Sequence, residues 1–308
     1  MSGSSIETGT VMTAEISRNC PACGSNQRVQ SFSKNGFQIC CCQTCGSLYT
    51  GRVPVCNPKE NYADYYDAEN LSLPEFLLKR IDEIVAGFSP YRKTNKLLEI
   101  GFGSVTVLQA ARNGKWDTSG IEVSIRAIEH ARELGFDVFQ GELFQAEFPA
   151  EQFDVVVASE ILEHVSEPGP LLSEIRRVLR PGGLLWATTP NVDSLACRLL
   201  KQNWSAVRPP EHLQLFSRKG MASILKANGF AKIKIHSEGL NPYELKQAAP
   251  AKSADKSAGE SEWIMLRTGY KLNEAMLRSP MRRSVKKVAN ALLSATGWGD
   301  SLKIWAES

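Results

Sequence analysis

Carboxylate side chains recur at the ends of three consecutive predicted strands of this chain. Glu99 ends the first strand, which continues through Gly101 and Gly103 into a predicted helix. Two spaced glycines let the backbone turn sharply and let a ligand lie against the main chain, where a Cβ would intrude. Glu122 and Glu142 follow the next two predicted strands, and Glu122 lies 19 residues after Gly103. Because ligands of open α/β sheets bind outside the carboxyl ends of the strands, the three carboxylates are expected to face one crevice.

Two Cys-x-x-Cys-Gly motifs near the start of the chain are spaced as ligands of one metal ion. The first contains Cys20 and Cys23 and the second contains Cys42 and Cys45, with 18 residues between Cys23 and Cys42. This spacing is typical of two knuckles that bind Zn²⁺ tetrahedrally, and four protein ligands would leave no open position for catalysis. A disulfide cluster is the alternative, but it requires an oxidising compartment.

The residues between the two motifs predict a hairpin over 28–33 and 37–41, so this part of the chain resembles a zinc ribbon. Cys40 and Cys41 crowd the second motif and could be alternative ligands. We place the ribbon at residues 15–56, after a disordered segment over 1–14, and expect a linker and helix over 57–95.

Alternating strands and helices must position the carboxylates. Strands are predicted from residue 97 and over 116–121, 136–140, 153–158, 184–188, 230–237 and 301–305, with the last one antiparallel. Helices are predicted over residues 73–86, 105–112, 170–179, 193–200, 218–228, 262–276 and 282–295. Residues 180–183 are expected to form a turn and residues 204–216 a loop. The part of the chain over 241–298 is interpreted as a helical insertion in a domain over 96–308, and it could form a lid or a dimer surface.

Five segments in this order resemble the class I S-adenosylmethionine (SAM)-dependent methyltransferases, in the branch of small-molecule O- and C-methyltransferases. They are Glu99-Ile100-Gly101-Phe102-Gly103, Gly120-Ile121-Glu122, Phe153-Asp154-Val155-Val156, Glu160-Ile161-Leu162-Glu163-His164-Val165 and Leu179-Arg180-Pro181-Gly182-Gly183. The resemblance implies an α/β fold with a Rossmann-like seven-stranded sheet whose last strand is antiparallel, preceded here by the small zinc ribbon. One departure is Val105, which stands where many relatives have a third glycine.

The same resemblance implies roles for individual residues in binding SAM. Gly101 and Gly103 would line its methionine and ribose side, and Glu122 would accept hydrogen bonds from both ribose hydroxyls. Glu142 and Leu143 would border the adenine, and Ser159 would lie near the sulfonium. The complete set of implied cofactor-binding residues is Glu99, Gly101, Gly103, Glu122, Val123, Glu142, Leu143 and Ser159.

Candidate catalytic residues follow from what methyl transfer to a hydroxyl requires. The acceptor must be aligned with the methyl group and must lose a proton to a base. His212, in the loop after the fifth strand, is the first candidate base, and His164 is the second; a buried structural histidine is the alternative for each. Glu160 and Glu163 could join both histidines in binding a divalent cation that orients the acceptor, as in some methyltransferases with a similar Glu-x-x-Glu-His element.

Composition and charge limit the partners and the cellular location that are expected for this chain. The chain has 308 residues, 43% of them hydrophobic, and a net charge of +3, so no strong field argues for a nucleic-acid partner. No run approaches the roughly 20 apolar residues of a membrane span, and the start lacks a signal-peptide pattern, so a cytoplasmic location is expected. The predicted helix over 282–295 is basic and amphipathic; it could rest on a membrane or an acidic partner, or its charges could be solvated.

These observations predict a methyltransferase that acts on a small molecule, most simply at a hydroxyl of a sugar, a nucleotide-sugar or a natural product, with a homodimer as one arrangement. Two other hypotheses stay open. One is a methyltransferase whose ribbon docks RNA or protein, and the other is a non-catalytic SAM-binding scaffold.

Overall fold

The computed structural model of the protein describes residues 15–54, 75–241 and 279–308. Its main sheet contains β6 (Lys96–Ile100), β7 (Asp117–Glu122), β8 (Asp137–Gln140), β9 (Phe153–Ser159), β10 (Leu179–Pro190), β12 (Ala231–Glu238) and β13 (Ser301–Glu307). The spatial order of these seven strands is β12-β13-β10-β9-β6-β7-β8. β13 runs antiparallel to both of its neighbours, whereas the pairs from β10 to β8 are parallel. The predicted Rossmann-like sheet with an antiparallel last strand is therefore confirmed.

Helices cover both faces of this sheet, so the central strands are almost continuously apolar. The helices are α1 (Glu75–Ala86), α2 (Thr106–Asn113), α3 (Ile125–Glu133), α4 (Pro168–Val178), α5 (Leu195–Leu200), α6 (Arg218–Ala227) and α7 (Pro280–Thr296). Successive residues of a strand face opposite layers. Leu97 packs in one layer with Val85 and Trp116, and Leu98 packs in the other with Leu225.

The ribbon module, residues 15–54, contains β1 (Glu15–Ser17), β2 (Arg28–Lys34), β3 (Phe37–Cys42), β4 (Leu48–Thr50) and β5 (Arg52–Pro54). The predicted hairpin is confirmed, since β2 and β3 pair antiparallel across a turn at Asn35 and Gly36. Both turn residues have positive φ, 50° and 80°, as this tight connection requires. β1 pairs only with β5, in a separate two-stranded sheet.

The sheet that begins in the ribbon module also contains a strand from the main domain. β4 pairs antiparallel with β11 (Gln214–Leu215), so the four-stranded sheet has the order β11-β4-β3-β2. β11 lies in the stretch predicted to be a loop, and that expectation is wrong at these two residues. Ser217 caps α6, because its hydroxyl accepts the amide hydrogen of Gly220 at 2.9 Å. The segment before α6 is therefore held by a strand pair and a helix cap.

The predicted turn over residues 180–183 is also wrong, because β10 already begins at Leu179. The register shifts between Leu179 and Leu184, which leaves the intervening residues as an irregular part of the strand. Ser308 satisfies their backbone: its carbonyl accepts from Gly182 and its hydroxyl from Gly183, at 3.1 Å each. The proline and glycines that favour a turn are thus held in the strand by a distant residue.

Some predictions fall outside the described residues. These are the disordered segment over 1–14, most of the linker before α1, the helix over 262–276 and residues 242–278 of the proposed insertion. The basic helix predicted over 282–295 corresponds to α7. Within the described ranges, no helix has the length and apolarity needed to cross a lipid bilayer.

Candidate active site

The glycine loop after β6 opens the candidate site. Gly101 and Gly103 have φ of 67° and 47°, values that an L-residue adopts only with strain. A Cβ on Gly101 would lie 2.1 Å from Cδ1 of Ile161, so a larger residue here would force that side chain to shift. Val105 also has a positive φ, 52°, and α2 begins directly after it at Thr106. A β-branched residue in this conformation is strained, which is the local consequence of the missing third glycine.

Glu122 ends β7 and joins that strand to the glycine loop. Its Oε2 accepts the amide of Gly103 at 3.2 Å, and its Oε1 accepts the amides of Val123 at 2.7 Å and Ser124 at 3.0 Å. Burial raises the pKa of this carboxyl, while the three amides act in the opposite direction. A carboxylate offers about four acceptor sites, so this side chain retains capacity for a ligand hydroxyl. The residues present therefore fit the ribose-binding role predicted for Glu122.

Glu99 lies behind the loop. Its carboxyl is buried and accepts the amide of Leu108, in α2, at 3.1 Å. Burial raises the pKa of Glu99 well above its usual range, and the charge of Glu122 adds to this. The structure thus ties Glu99 to the helix that follows the glycines, and its direct contact with a cofactor stays a prediction.

The other residues predicted to bind the cofactor lie at the same edge of the sheet. Glu142 is exposed and Leu143 is buried in the 3₁₀ turn after β8, while the hydroxyl of Ser159, at the end of β9, is 2.9 Å from that of Thr188. Two apolar side chains that the sequence analysis missed are exposed here, Ile125 at 58% and Phe144 at 51%. Ile125 follows the strand-end Glu122 by three residues, and Phe144 follows Glu142 by two. This spacing is the signal that could have marked both side chains as candidates for contact with the adenine of SAM.

Glu163, His164 and His212 come together beside this edge. Each offers one ligand atom, and these atoms all lie within 4.8 Å of one another. The two imidazole rings meet edge to face with centroids 4.6 Å apart. Ile161, in the same turn, covers Gly101, so this cluster adjoins the glycine loop. The contact predicted between His212 of the later segment and the Glu-x-x-Glu-His element is present, and Glu160 lies outside the group of three.

Hydrogen bonds fix the tautomer of both rings. Nδ1 of His164 lies 2.9 Å from the carbonyl oxygen of Glu211, and Nδ1 of His212 lies 2.8 Å from that of Ala206. A carbonyl oxygen only accepts, so Nδ1 carries the hydrogen in each neutral ring and Nε2 carries the lone pair. In His212 this lone pair faces Nη2 of Arg208 at 3.5 Å, a bond that a cation ligated by Nε2 would replace. Metal-binding histidines are oriented in this way in other proteins.

Burial disfavours the charged form of every member of the cluster. It lowers the pKa of His164 to about 4 and, together with electrostatic interactions with His164 and Arg208, that of His212 to about 3. Burial and the charge of Glu160 raise the pKa of Glu163 well above its usual range. Imidazoles with such values are neutral at pH 7, and they are weaker general bases than a group whose pKa lies near the operating pH.

Glu163 carries an unsatisfied oxygen. Its Oε2 accepts the hydroxyl hydrogen of Thr189 at 2.9 Å, but its buried Oε1 has no hydrogen-bond partner among the described residues. This Oε1 lies 3.9 Å from Nε2 of His164. A buried oxygen without a partner is costly, and a cation at this point would satisfy it.

The four predicted zinc ligands converge in the ribbon module. Cys20 Sγ lies 3.6 Å from Cys45 Sγ, and Cys23 Sγ lies 3.5 Å from Cys42 Sγ. Sulfurs bound tetrahedrally at the usual Zn–S distance are about 3.8 Å apart, so the set fits zinc. These spacings are far longer than a disulfide bond, and all four thiols are free. Cys40 and Cys41 do not belong to the group, so the structure does not support them as alternative ligands.

A strand order with an antiparallel last strand, a glycine loop and a strand-end glutamate together define a class I SAM-dependent methyltransferase. The profile of the family described as "Methyltransferase domain" matches residues 73–235, and the chain belongs to this family. The ubiquinone biosynthesis O-methyltransferase of Caulobacter vibrioides is 28% identical over 163 residues, 46% of this chain and 64% of that protein. The 27-O-demethylrifamycin SV methyltransferase of Amycolatopsis mediterranei is 31% identical over 130 residues, 39% of this chain and 47% of that protein.

These alignments span about half to two thirds of the relatives' own lengths. Among solved structures, a SAM-dependent methyltransferase from Archaeoglobus fulgidus matches with a TM-score of 0.49 and 17% identity, over 75% of this chain and 94% of that one.

Proposed function

We propose that the protein transfers the methyl group of SAM to a hydroxyl of a small natural product. The observation that carries this proposal is the position of the Glu163, His164 and His212 cluster next to the glycine loop, where an acceptor would meet the cofactor's methyl end. The two relatives named above are O-methyltransferases by their names, and both names refer to small molecules. A sugar or nucleotide-sugar hydroxyl is the narrower alternative acceptor.

SAM supplies, when bound, an electrophilic methyl group on a sulfonium sulfur. In the transfer, the acceptor oxygen forms a bond to the methyl carbon, the carbon–sulfur bond breaks, and its electron pair stays on sulfur. Glu122 would bind the ribose, while Gly101 and Gly103 would let the ligand lie close to the backbone. The hydroxyl proton must leave the acceptor, and the Glu163, His164 and His212 cluster has the chemistry to promote this.

We also propose that the cluster binds a divalent cation. Two imidazole Nε2 atoms and the unsatisfied Oε1 of Glu163 form a mixed nitrogen and oxygen donor set, which suits magnesium, manganese or zinc. A bound cation would lower the pKa of an acceptor hydroxyl and orient it. His164 and His212 would then act as ligands held by their Nδ1 hydrogen bonds, which fits their low pKa values better than the role of general base.

Incubation of the purified protein with methyl-labelled SAM and a panel of phenols, polyketides and sugar nucleotides tests the proposed function. We expect labelled product and S-adenosylhomocysteine in equal amounts for at least one hydroxylated natural product, with more product when Mg²⁺ or Mn²⁺ is present. Binding of SAM without turnover of any acceptor would favour the scaffold hypothesis, and methylation only of RNA or protein would favour a macromolecular substrate. Absence of SAM binding would contradict all three.

We propose that Cys20, Cys23, Cys42 and Cys45 hold a structural zinc ion, because their sulfur spacings match a tetrahedral site. Cys42→Ser is expected to reduce the zinc content of the purified protein from about one ion per chain to near zero. Cys41→Ser is the matched control, since Cys41 is adjacent in sequence but lies outside the group. Elemental analysis of both variants measures this, and loss of zinc from Cys41→Ser to the same extent would contradict the ligand assignment.

A further inference from the structure

The ribbon module contacts the main domain on both sides of the candidate acceptor cluster. Leu213 and Gln214 directly follow His212, and here β11 completes the ribbon sheet, with Gln214 opposite Tyr49 and Leu215 opposite Leu48. The amide of Thr50 adds a bond to the carbonyl of Leu213 at 2.9 Å. An edge strand of the ribbon sheet therefore begins two residues after His212.

Arg18 connects this strand to the turn that bears Glu163 and His164. Its Nη2 donates to the carbonyl of Leu213 at 2.5 Å and its Nη1 to Oε1 of Gln214 at 2.9 Å. The same Nη1 donates to the carbonyl of Ser166, two residues after His164, also at 2.9 Å. Nε and Nη2 also reach the carbonyl and hydroxyl of Thr50, both at 3.0 Å. The planar guanidinium, with five donors in a fixed arrangement, can bind all these groups at once, which a lysine cannot.

Gln214 completes the connection from the other side. Its Nε2 donates to the carbonyls of Leu162 and Val165, at 2.5 Å and 2.7 Å, and the amide of Leu213 donates to the carbonyl of Glu163 at 2.8 Å. Gln214 is buried, so these bonds are shielded from water. Gln214 thus joins the turn that bears Glu163 and His164 to the segment that follows His212. Arg18 donates hydrogen bonds to both.

The zinc knuckles reach the far end of the same segment. The hydroxyl of Ser217, which caps α6, donates to the carbonyl of Cys45 at 2.5 Å, and its amide donates to the hydroxyl of Ser47 at 3.1 Å. Apolar contacts also join the ribbon module to the main domain. Phe32 and Leu48 of the ribbon pack with Trp204, Val207 and Leu215. Glu122 and the glycine loop have no bond to the ribbon among those of the described residues.

We propose that the ribbon module assembles the acceptor half of the active site: Arg18 and β4 hold residues 213–215, which directly follow His212, against the Glu163–Ser166 turn, so acceptor binding depends on the zinc-bound ribbon and SAM binding does not. Arg18 is a positioning residue in this arrangement and contacts neither SAM nor the acceptor. The inference rests on the proposed function, since it makes acceptor binding at the same proposed active site depend on the ribbon module.

Arg18→Ala tests the proposal in the full-length, zinc-loaded protein. Loss of its charge-assisted hydrogen bonds is expected to speed amide hydrogen exchange in residues 213–215 by at least about tenfold. The KM for the acceptor should rise about tenfold or more, while the SAM dissociation constant from calorimetry stays within about twofold. Gln30→Ala, at an exposed position of β2, is the control. It should leave the exchange rate of residues 213–215, the KM for the acceptor and the SAM dissociation constant unchanged.

Two results would overturn the proposal. One is unchanged exchange in residues 213–215. The other is an equal increase in residues 97–122, since this would mean general destabilisation instead of local release. If Arg18→Ala does not fold, removal of zinc from the wild-type protein by a chelator gives the same comparison of the two segments. Failure of wild-type protein to bind SAM would contradict the proposed function itself, and the exchange pattern would still report on the ribbon contact.

Discussion

Glu122→Ala is expected to raise the dissociation constant for SAM by at least about tenfold. The backbone amides leave about one acceptor site on this carboxylate for a ribose hydroxyl, and a hydrogen bond to a charged group is worth about 1.5–3 kcal/mol. The substitution also removes the acceptor of the Gly103 amide, so the glycine loop keeps only the bond from the Gly101 amide to the carbonyl of Ile121 in β7. Calorimetric titration with SAM and with S-adenosylhomocysteine measures the effect, which should be similar for both because they share the ribose.

The matched control is Glu129→Ala, which removes an exposed carboxylate from α3, the helix that follows β7. This variant should bind SAM within about twofold of the wild-type protein. A change of less than about fivefold in Glu122→Ala, in protein whose circular dichroism and melting temperature are unchanged, would contradict the assignment of the cofactor site.

Glu163→Gln is expected to lower kcat/KM for the acceptor by at least about 100-fold, because a Lewis-acid cation contributes several kcal/mol to the transition state. The substitution replaces one cation ligand with an amide. The amide oxygen can still accept the Thr189 hydroxyl, and a neutral group already suits this buried position, since burial raises the pKa of Glu163. Stability and SAM affinity should therefore be preserved, which separates the loss of chemistry from a loss of fold.

Electron paramagnetic resonance of Mn²⁺ provides a second measurement for Glu163→Gln that does not depend on finding the acceptor. The wild-type protein should bind about one Mn²⁺ at the cluster and the variant should not. Glu167→Gln, an exposed position four residues later, is the control and should bind Mn²⁺ like the wild type. Equal binding by Glu163→Gln would contradict the assignment of Glu163 as a cation ligand.

Local patterns account for what could be predicted from the sequence. The strand-end carboxylates follow from apolar runs of strand length, and the cysteine pairs follow from their spacing. Each of these signals lies within about 20 residues, and each corresponds to a structural element that forms from neighbouring residues. The hairpin turn at Asn35 and Gly36 was accessible for the same reason, since it is encoded by the turn residues themselves.

Contacts between distant residues account for what could not be predicted. β11 has only two residues, too few for a period-two pattern, and it exists because Gln214 and Leu215 meet a strand more than 160 residues earlier. Arg18 has no local motif, although its donors join three separate segments. The Pro-Gly-Gly stretch before Leu184 carries strong turn signals, but the bonds from Ser308 keep it in β10. In each case tertiary structure overrides local propensity.

The central position of β13 has a consequence for how the chain is made. β13 lies between β10 and β12, and Leu184 pairs with Glu307, 123 residues later. During vectorial synthesis on the ribosome, both older strands therefore keep an unpaired edge until β13 has emerged. Open β-edges recruit other strands, so nascent chains on neighbouring ribosomes are exposed to edge-to-edge association throughout this interval.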